Sequence, residues 1–320
     1  MALSSGLASK AEAVDRPGRI ERIQAASDRY ADFLMGKGLD DDDLNGLKVV
    51  LDCANGATSD VAEKVFPGLG AQVSMIHHKP DGININEGCG SQHPENLAKR
   101  VIAEKADLGL AFDGDGDRVI VVDERGRVLT GDQALMICAA HYHRRGSLKN
   151  NTVVSTVMSN MGLGLALKQA GITHRQTAVG DRHVMEEMRA SGAVVGGEDS
   201  GHMIFMDRHT TGDGILAGLR VIDAMRSSGK PLSELAALMR VLPQCLINVD
   251  VASKPDLSAL DQVQGAIKEV EADLKGQGRV LVRYSGTQPQ CRVMVEGPTE
   301  AETREHCELI ASTIKAVIGA

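Results

Sequence analysis

Short apolar runs alternate with longer segments of helically spaced apolar residues along the first two thirds of the chain. The runs are bounded by polar or glycine-rich stretches, as in strands buried within a sheet. Such alternation implies right-handed βαβ units around a largely parallel sheet. The first series predicts strands at 47–51, 71–76, 108–112 and 119–122, with helices at 61–65, 95–105 and 131–143.

A second series repeats the pattern from residue 152. Gly229 and Pro231 end its last helix, because glycine caps helices in the left-handed conformation and proline cannot continue them. The similarity of the two series predicts two related α/β domains of about 100 residues each. The second series predicts strands at 152–157, 173–179, 193–195 and 203–205, with helices at 162–170, 182–190 and 214–225.

The last segment follows a different order, β-α-β-β-α, which predicts a smaller α+β domain and not a further parallel sheet. Thr299 and Glu302 have the spacing of a capping box for the final helix. The predicted strand, helix and two further strands lie at 245–251, 257–274, 280–282 and 293–295.

The first 45 residues combine a Ser/Ala/Gly-rich stretch, a helical segment and an acidic run at 40–43. Such a run favours a solvated connector. The helical segment has one apolar face, made of Ile20, Ile23, Tyr30, Phe33 and Leu34. The predicted domain boundaries are therefore a lead-in at 1–45 and domains at 46–148, 149–243 and 244–320.

Composition narrows the class of protein. Of 320 residues, 42% are hydrophobic and 24% charged, with a formal net charge of −8. The acidic balance argues against nucleic acid as a partner. No apolar run reaches the roughly 20 residues that span a bilayer, and the N-terminus lacks a signal-peptide core. The six cysteines have no CxxC pair, so we expect a cytoplasmic protein whose thiols are neither disulfides nor zinc ligands.

The strongest chemical signal follows the predicted strand at 108–112. That strand runs into Asp113-Gly114-Asp115-Gly116-Asp117-Arg118, here called the metal loop. Glycine lets the backbone turn tightly, so three carboxylates can converge, and their mutual repulsion calls for a cation. Hard oxygen ligands suit Mg²⁺, Ca²⁺ or Mn²⁺. A solvated Asp-Gly turn is the alternative.

An EF-hand calcium loop is excluded. Glu124 does lie at the twelfth position from Asp113, but Arg118 occupies the position that requires glycine. The apolar residues that follow, at 119–122, are typical of a strand and not of the helix that an EF-hand needs.

Two further loops carry candidate binding groups. Arg283-Tyr284-Ser285-Gly286-Thr287 offers a guanidinium, hydroxyls and an approachable backbone to a phosphate, although such a turn is also common without one. Glu198, Ser200 and His202 could read sugar hydroxyls, and His202 could act as acid or base, or all three could form a surface turn. His141 and His143, near a helix end, are expected to be solvated.

Taken together, these loops resemble the bacterial phosphoglucosamine mutases of the α-D-phosphohexomutase superfamily. The resemblance runs from about residue 45 to the C-terminus. It rests on the metal loop, on Gly197-Glu198-Asp199-Ser200-Gly201-His202 (the sugar loop) and on residues 283–287 (the phosphate loop), in the family's order and spacing. The segments at 51–57, 89–95, 157–160 and 179–182 are similar to the glucosamine branch.

The resemblance implies an intramolecular phosphotransferase. In the family, a phosphoserine donates its phosphoryl group to glucosamine 6-phosphate, and the bisphosphate returns its other phosphate to the serine, leaving glucosamine 1-phosphate for cell-wall amino sugars. The implied roles are Mg²⁺ binding by Asp113, Asp115 and Asp117, added positive charge from Arg118, sugar binding by Glu198, Ser200 and His202, and phosphate binding by Arg283, Ser285, Gly286 and Thr287.

The sequence departs from the family pattern at three points. No Ser-His-Asn tripeptide, the family's nucleophile motif, occurs in the 320 residues, so we expect residues 1–38 to be the tail of a missing serine domain. Without a phosphoserine oxygen, Mg²⁺ should bind more weakly. Gln288 and Asp199 stand where the family usually has glutamate and glutamine.

Two hypotheses follow. In the first, the chain is phosphoglucosamine mutase machinery, truncated or completed by a separate chain that supplies the serine domain. In the second, it is a non-catalytic binder of phosphosugar and Mg²⁺. Phosphomannomutase or phosphoglucomutase activity is the alternative within the first hypothesis.

Overall fold

The computed structural model describes residue 21 and residues 23–40, 43–286 and 288–320. The predictions made for residues 1–20, for Asp41 and Asp42 and for Thr287 lie outside these described residues. Helices α1 to α10 are Ala26–Lys37, Thr58–Gly68, Glu95–Glu104, Gly131–Arg144, Met161–Gln169, Asp181–Ser191, Gly214–Ser228, Leu232–Leu235, Asp261–Leu274 and Glu300–Ile318. Strands β1 to β11 are Lys48–Asp52, Gln72–Ile76, Leu108–Phe112, Val119–Asp123, Thr152–Thr156, Thr173–Thr177, Val195–Gly197, Met203–Phe205, Gln244–Asp250, Arg279–Tyr284 and Gln290–Glu296.

The first sheet has the strand order β2-β1-β3-β4. Strands β2, β1 and β3 are parallel, and β4 pairs antiparallel with β3. All five residues of β3 are buried, as expected for an internal strand covered on both faces. A hairpin joins β3 to β4, because six residues are too few for a parallel crossover. That hairpin is the metal loop.

The second sheet repeats this plan with the order β6-β5-β7-β8. Its fourth strand again runs antiparallel to the third, and the connecting hairpin carries the sugar loop. The prediction of two related α/β units is therefore confirmed. Helix α4 enters the second unit through a capping box in which Thr130 and Gln133 satisfy each other's backbone N–H groups.

The C-terminal unit is a three-stranded antiparallel sheet of order β10-β11-β9 covered by α9 and α10. This confirms the smaller α+β unit. Helix α9 is shorter than predicted, since Leu257 and Leu260 precede it at a 3-10 turn. The predicted cap of α10 is present: Thr299 Oγ1 accepts from the Glu302 N–H at 3.3 Å.

One hydrophobic core joins the first two units. Residues of β3, such as Leu110, share a buried cluster with Val153 of β5, and with Ile137 of α4 and Leu219 of α7. The two sheets are thus linked through shared helices, which fixes the two strand-end hairpins relative to each other. A separate cluster forms the core of the C-terminal unit.

Helix α1 is part of the first core. Leu34 is fully buried and Ala31 nearly so, and Phe33 packs edge-on against the ring of His209 at 5.3 Å. The predicted apolar face was wrong for Ile23, which precedes the helix and is 69% exposed. For Ile23, helical spacing in the sequence therefore did not indicate burial.

Asp40 and His141 were expected to be solvated, and for both the expectation is wrong. Asp40 Oδ2 lies 3.0 Å from Nη2 of the buried Arg220, and His141 Nε2 lies 3.1 Å from Asp223 Oδ2. Burial acts to raise the pKa of Asp40, but the hydrogen bond and charge of Arg220, with the charges of Arg208 and Arg145, hold it well below its usual range. Partners distant in sequence bury this cluster. The polar residues next to Asp40 and His141 in the sequence could not indicate these partners.

Two predictions about the whole chain can be compared with the described residues. None of the helices there is long and apolar enough to cross a membrane. The six cysteines are free and five are buried.

Candidate functional site

The metal loop curls around its first carboxylate. Strand β3 ends at Phe112, and Asp113 Oδ1 accepts from the N–H groups of Gly116 at 3.2 Å and Arg118 at 3.1 Å. Gly116 has a φ of +80°, a conformation that glycine adopts without strain. The backbone therefore turns at glycine, as predicted, and this turn brings the aspartates together.

The three aspartates meet at one point. Each offers a carboxylate oxygen, and these oxygens of Asp113, Asp115 and Asp117 lie within 4.8 Å of one another. Burial, together with the neighbouring Asp117 and Asp115, raises the pKa of Asp113 to about 6. Nε of Arg118 lies 3.6 Å from an oxygen of Asp113 and of Asp117.

This donor set fits a hard divalent cation. Three converging oxygens are the ligands that such ions take in proteins. Among the described residues, neither the buried Asp117 Oδ1 nor Arg118 Nε has a hydrogen-bond partner, and a cation would satisfy that oxygen. Asp115 stays exposed, which leaves the site open on one side.

Neighbouring loops pack closely against the backbone of the metal loop. The N–H of Ala57 donates to Gly114 O at 2.9 Å. A Cβ added to Gly56 would lie 2.3 Å from that same oxygen, and one added to Gly90 would lie 2.5 Å from Phe112 O. Glycine is therefore needed at both supporting positions.

The sugar loop packs on the metal loop from the second unit. Nδ1 of His202 lies 3.1 Å from Asp117 Oδ2, and His202 forms an antiparallel backbone bridge with Arg118. The Val119 N–H donates to Gly201 O at 3.2 Å. Two loops about 80 residues apart in sequence thus form one site, as parallel-sheet strand ends predict.

The remaining sugar-loop residues face different surroundings. Glu198 is half-buried and accepts from the Gly180 N–H at 3.0 Å, which joins it to a segment that the sequence resemblance also included. Ser200 is exposed. His202 is 4% exposed, so within the described chain its ring faces the metal loop and Gly212 more than solvent.

Asp199 contacts a buried carboxyl group that the sequence analysis missed. Its Oδ1 accepts from the N–H of Asp132 at 3.1 Å. Asp132 is fully buried, and its Oδ2 accepts from the Asn160 N–H at 2.6 Å. Burial first, then the Asp199 carboxylate, raises the pKa of Asp132 to about 7. An aspartate in a first helical turn gives no sequence signal of this kind.

The phosphate loop is built within the C-terminal unit. Ser285 is 2% exposed, and its Oγ accepts from the Gln288 N–H at 3.3 Å. Lys254 Nζ donates to Ser285 O at 2.6 Å, a cation that sequence reasoning missed. A Cβ on Gly286 would meet no atom of the described chain within 4 Å, so its backbone is approachable. The Arg283 residue is half-buried.

An ion pair within the C-terminal unit makes hydrogen bonds to the second unit. Nε of Arg279 lies 2.8 Å from an oxygen of Glu296, which is fully buried. Arg279 Nη1 also donates to Val157 O at 3.0 Å, and Glu296 accepts from the Met161 N–H at 2.8 Å. The metal and sugar loops contact each other, as described above. The hydrogen bonds described for the phosphate loop, in contrast, lie within the C-terminal unit.

Comparison with known proteins agrees with these three units. Residues 28–126 match the model of phosphoglucomutase/phosphomannomutase alpha/beta/alpha domain II, residues 130–242 that of alpha/beta/alpha domain III, and residues 246–313 that of the C-terminal domain.

Two curated relatives are named phosphoglucosamine mutase. The chain is 55% identical to the protein of Syntrophobacter fumaroxidans, matching 100% of this chain and 71% of that protein. It is 54% identical to the protein of Syntrophus aciditrophicus, matching 96% of this chain and 68% of the relative.

Solved structures share the fold. The N-acetylphosphoglucosamine mutase of Aspergillus fumigatus, in complex with GlcNAc-6P and magnesium, has a TM-score of 0.74 at 19% identity, covering 90% of this chain and 70% of that one. A phosphoglucomutase/phosphomannomutase family protein from Burkholderia thailandensis has a TM-score of 0.73 at 25% identity, covering 91% and 64%. The chain therefore belongs to the phosphoglucomutase/phosphomannomutase family, in its phosphoglucosamine mutase group.

Proposed function

We propose that this chain provides the metal, sugar and phosphate sites for interconversion of glucosamine 6-phosphate and glucosamine 1-phosphate. The observation that carries the proposal is the contact between His202 of the sugar loop and Asp117 of the metal loop. This contact supports the proposal, because side chains that would bind a hexose then lie next to side chains that would hold a metal-bound phosphoryl group. Mutase chemistry needs both at one point.

The carboxylates of Asp113, Asp115 and Asp117 would hold Mg²⁺. When bound, Mg²⁺ supplies charge neutralisation to the transferring phosphoryl group. Arg118, whose guanidinium already lies beside two of these carboxylates, would add positive charge at the same place. The half-exposed side chain of Arg118 can reach a phosphoryl oxygen from there.

The sugar loop would hold the hexose next to this charge. Ser200, which is exposed, and Glu198, which is anchored by Gly180, would bind sugar hydroxyls. His202 is buried against Asp117, and we infer that it positions this metal ligand in addition to any role as acid or base. The sugar has to bind in two orientations, because its 1-phosphate and 6-phosphate exchange roles.

The phosphate loop would hold the phosphate that is not reacting. Arg283 supplies a guanidinium for charge-assisted hydrogen bonds. Gly286 exposes its backbone, and the sequence places Thr287 beside it. The buried Ser285 would act by shaping the turn through its contact with Gln288, and Lys254 adds a positive charge to the same loop.

The test is conversion of glucosamine 6-phosphate by the purified chain with Mg²⁺ and a hexose 1,6-bisphosphate primer. One arm contains the chain alone. In a second arm, the part of the Syntrophobacter fumaroxidans relative that the chain does not match is expressed separately and added. We expect turnover when a serine-bearing domain is supplied, and none after Asp115→Asn in this chain.

Each outcome distinguishes between the hypotheses for the function of the chain. Turnover by the chain alone would show that a residue within it accepts phosphate, against the expectation of an external serine. Glucosamine 6-phosphate binding without turnover in either arm would favour the non-catalytic binder. Faster turnover of mannose or glucose phosphates in parallel assays would favour phosphomannomutase or phosphoglucomutase activity.

A further inference from the structure

A second cluster of metal-ligating side chains lies at the strand ends of the first sheet. Asp52 is the last residue of β1, His77 follows β2, and Cys89 precedes the short turn at Gly90–Gln92. Each side chain offers one ligand atom, and these three atoms lie within 4.8 Å of one another. Three separate segments thus bring an oxygen, a nitrogen and a sulfur to one point.

The cluster is buried but can be reached. Asp52 is fully buried and Cys89 is 1% exposed, whereas 30% of the His77 side chain is open to solvent. Asp52 Oδ1 accepts from the Ala54 N–H at 3.0 Å, and Oδ2 lies 2.9 Å from His77 Nδ1. The first hydrogen bond fixes the carboxylate so that its other oxygen faces the cluster.

The negative charge of the buried Asp52 carboxylate requires a positive charge nearby. In the described part of the chain, its ion-pair partner is His77, which compensates the carboxylate only when protonated. A buried carboxylate is costly unless it is paired with a positive charge or coordinates a metal. A divalent cation held by the three side chains would supply that charge without a proton on His77.

We propose that Asp52, His77 and Cys89 form a second metal site, separate from the metal loop, for a borderline-soft divalent cation such as Zn²⁺. Thiolate and imidazole ligands select ions of this class, whereas Mg²⁺ takes oxygen ligands. On binding, the thiol releases its proton to solvent, and His77 binds through Nδ1 as a neutral imidazole that carries its proton on Nε2. No zinc ligand was expected from the sequence, because no two cysteines lie close together in the chain.

The distance between His77 and Asp52 requires only a small adjustment. At zinc–ligand distances of about 2.0–2.3 Å, tetrahedral ligand atoms lie about 3.4 Å apart. The 2.9 Å between His77 Nδ1 and Asp52 Oδ2 would therefore open by about half an ångström. The partly exposed imidazole can make this movement, and its open side leaves a fourth position for water.

The site is connected to the metal loop through the backbone. The Asn55 N–H donates to His77 O at 2.6 Å, and the Asn86 N–H donates to Ala54 O at 2.9 Å. The same turn carries Ala57, whose N–H holds Gly114 O. A cation at the cluster would thus fasten the segments that support the metal loop.

The experiment measures metal binding and needs no mutase activity. The full chain carrying Asp115→Asn, which weakens the metal loop, is stripped with a chelator and dialysed against Zn²⁺. We expect one retained Zn²⁺ per chain, measured by elemental analysis. His77→Gln and Cys89→Ala should each weaken the binding at least about tenfold. Cys291→Ala, a buried thiol of the C-terminal unit, is the matched control and should bind as before.

A second measurement on the chain without any substitution protects the test against misfolded variants. Co²⁺ replaces Zn²⁺, and a thiolate ligand gives a charge-transfer absorption band in the near ultraviolet. Absence of this band at saturating Co²⁺ would overturn the proposal. So would zinc binding that His77→Gln and Cys89→Ala, shown by circular dichroism to be folded, leave unchanged.

Discussion

Nδ1 of His202 lies 3.1 Å from Oδ2 of Asp117, so a histidine of the second unit contacts a proposed metal ligand of the first. A Cβ on Gly212 would lie 2.3 Å from Nε2 of the same ring, which shows how closely the other side of the imidazole is packed. His202 therefore couples the orientation of a metal-loop carboxylate to the position of the sugar loop.

Replacing His202 should weaken Mg²⁺ binding. His202→Asn shortens the side chain and releases Asp117, and loss of a group that orients a metal ligand typically costs 10–100-fold in metal affinity, so we expect about tenfold. Isothermal titration of the purified chain with Mg²⁺ measures this. Ser200→Ala, in the same loop but exposed, is the control and should leave Mg²⁺ affinity intact. Equal Mg²⁺ affinities for His202→Asn and the unmodified chain would refute the coupling.

Gly56→Ala should disturb the metal loop through its backbone. The new Cβ would lie 2.3 Å from Gly114 O, and a carbonyl in a hydrogen-bonded turn cannot yield as a flexible side chain does. We expect a loss of about 1–3 kcal/mol in the free energy of unfolding, with weaker Mg²⁺ binding. Urea unfolding followed by circular dichroism is the measurement, since the chain has no tryptophan.

Gly265→Ala provides the contrast for that experiment. Gly265 lies within α9, and a Cβ there would meet nothing within 4 Å. Alanine favours the helix by up to about 1 kcal/mol relative to glycine, so this variant should be more stable. If both substitutions stabilise the chain, the close approach of Gly56 and Gly114 is not limiting.

Asp132 should make stability depend on pH. Burial and then Asp199 raise its folded pKa from 3.8 to about 7, so the folded chain holds a proton that the unfolded chain releases. This contribution is fully present below about pH 4 and is lost as the pH rises to about 7, by at most about 1.4 kcal/mol per pH unit. Asp132→Asn should flatten this slope in urea unfolding between pH 4.5 and 7.5.

The exposed Asp273 is the matched control for that measurement. Asp273→Asn removes an exposed carboxylate and should leave the pH dependence of the unfolding free energy unchanged. An unchanged slope for Asp132→Asn would mean that its carboxyl is already ionised across this range.

Arg279→Ala should destabilise the junction between the second and C-terminal units. It leaves the fully buried Glu296 without its cation, and breaking a buried pair costs about 3–5 kcal/mol. Arg175→Ala breaks the more exposed pair with Glu187 and should cost less than about 1 kcal/mol. Urea midpoints compare the two, and similar losses would contradict a special role for Arg279.

Much of the fold could be read from local pattern. Buried strands such as Leu108–Phe112 are continuous apolar runs, and the Asp-Gly alternation after that strand marks a tight, acidic turn. Both signals lie within a few neighbouring residues, where strand burial and glycine geometry act directly. The order of elements then implied two largely parallel sheets and a separate C-terminal unit, as observed.

The partners of individual side chains could not be read in this way. Asp40 and His141 are polar residues at element ends, and their sequence neighbours give no sign of Arg220 and Asp223. Likewise, the ligand atoms of Asp52, His77 and Cys89 come from three segments, so no spacing motif marks them.

The order of the strands and helices, the three loops with candidate binding groups and the family were predictable from the sequence alone, because each depends on residues close together in the chain. The folded chain was needed to show that His202 contacts Asp117, that Asp132 is buried beside Asp199, and that Asp40 is surrounded by arginines. These contacts arise because packing the two sheets around shared helices brings distant strand ends together, and the burial and charge of a side chain depend on what that packing places around it.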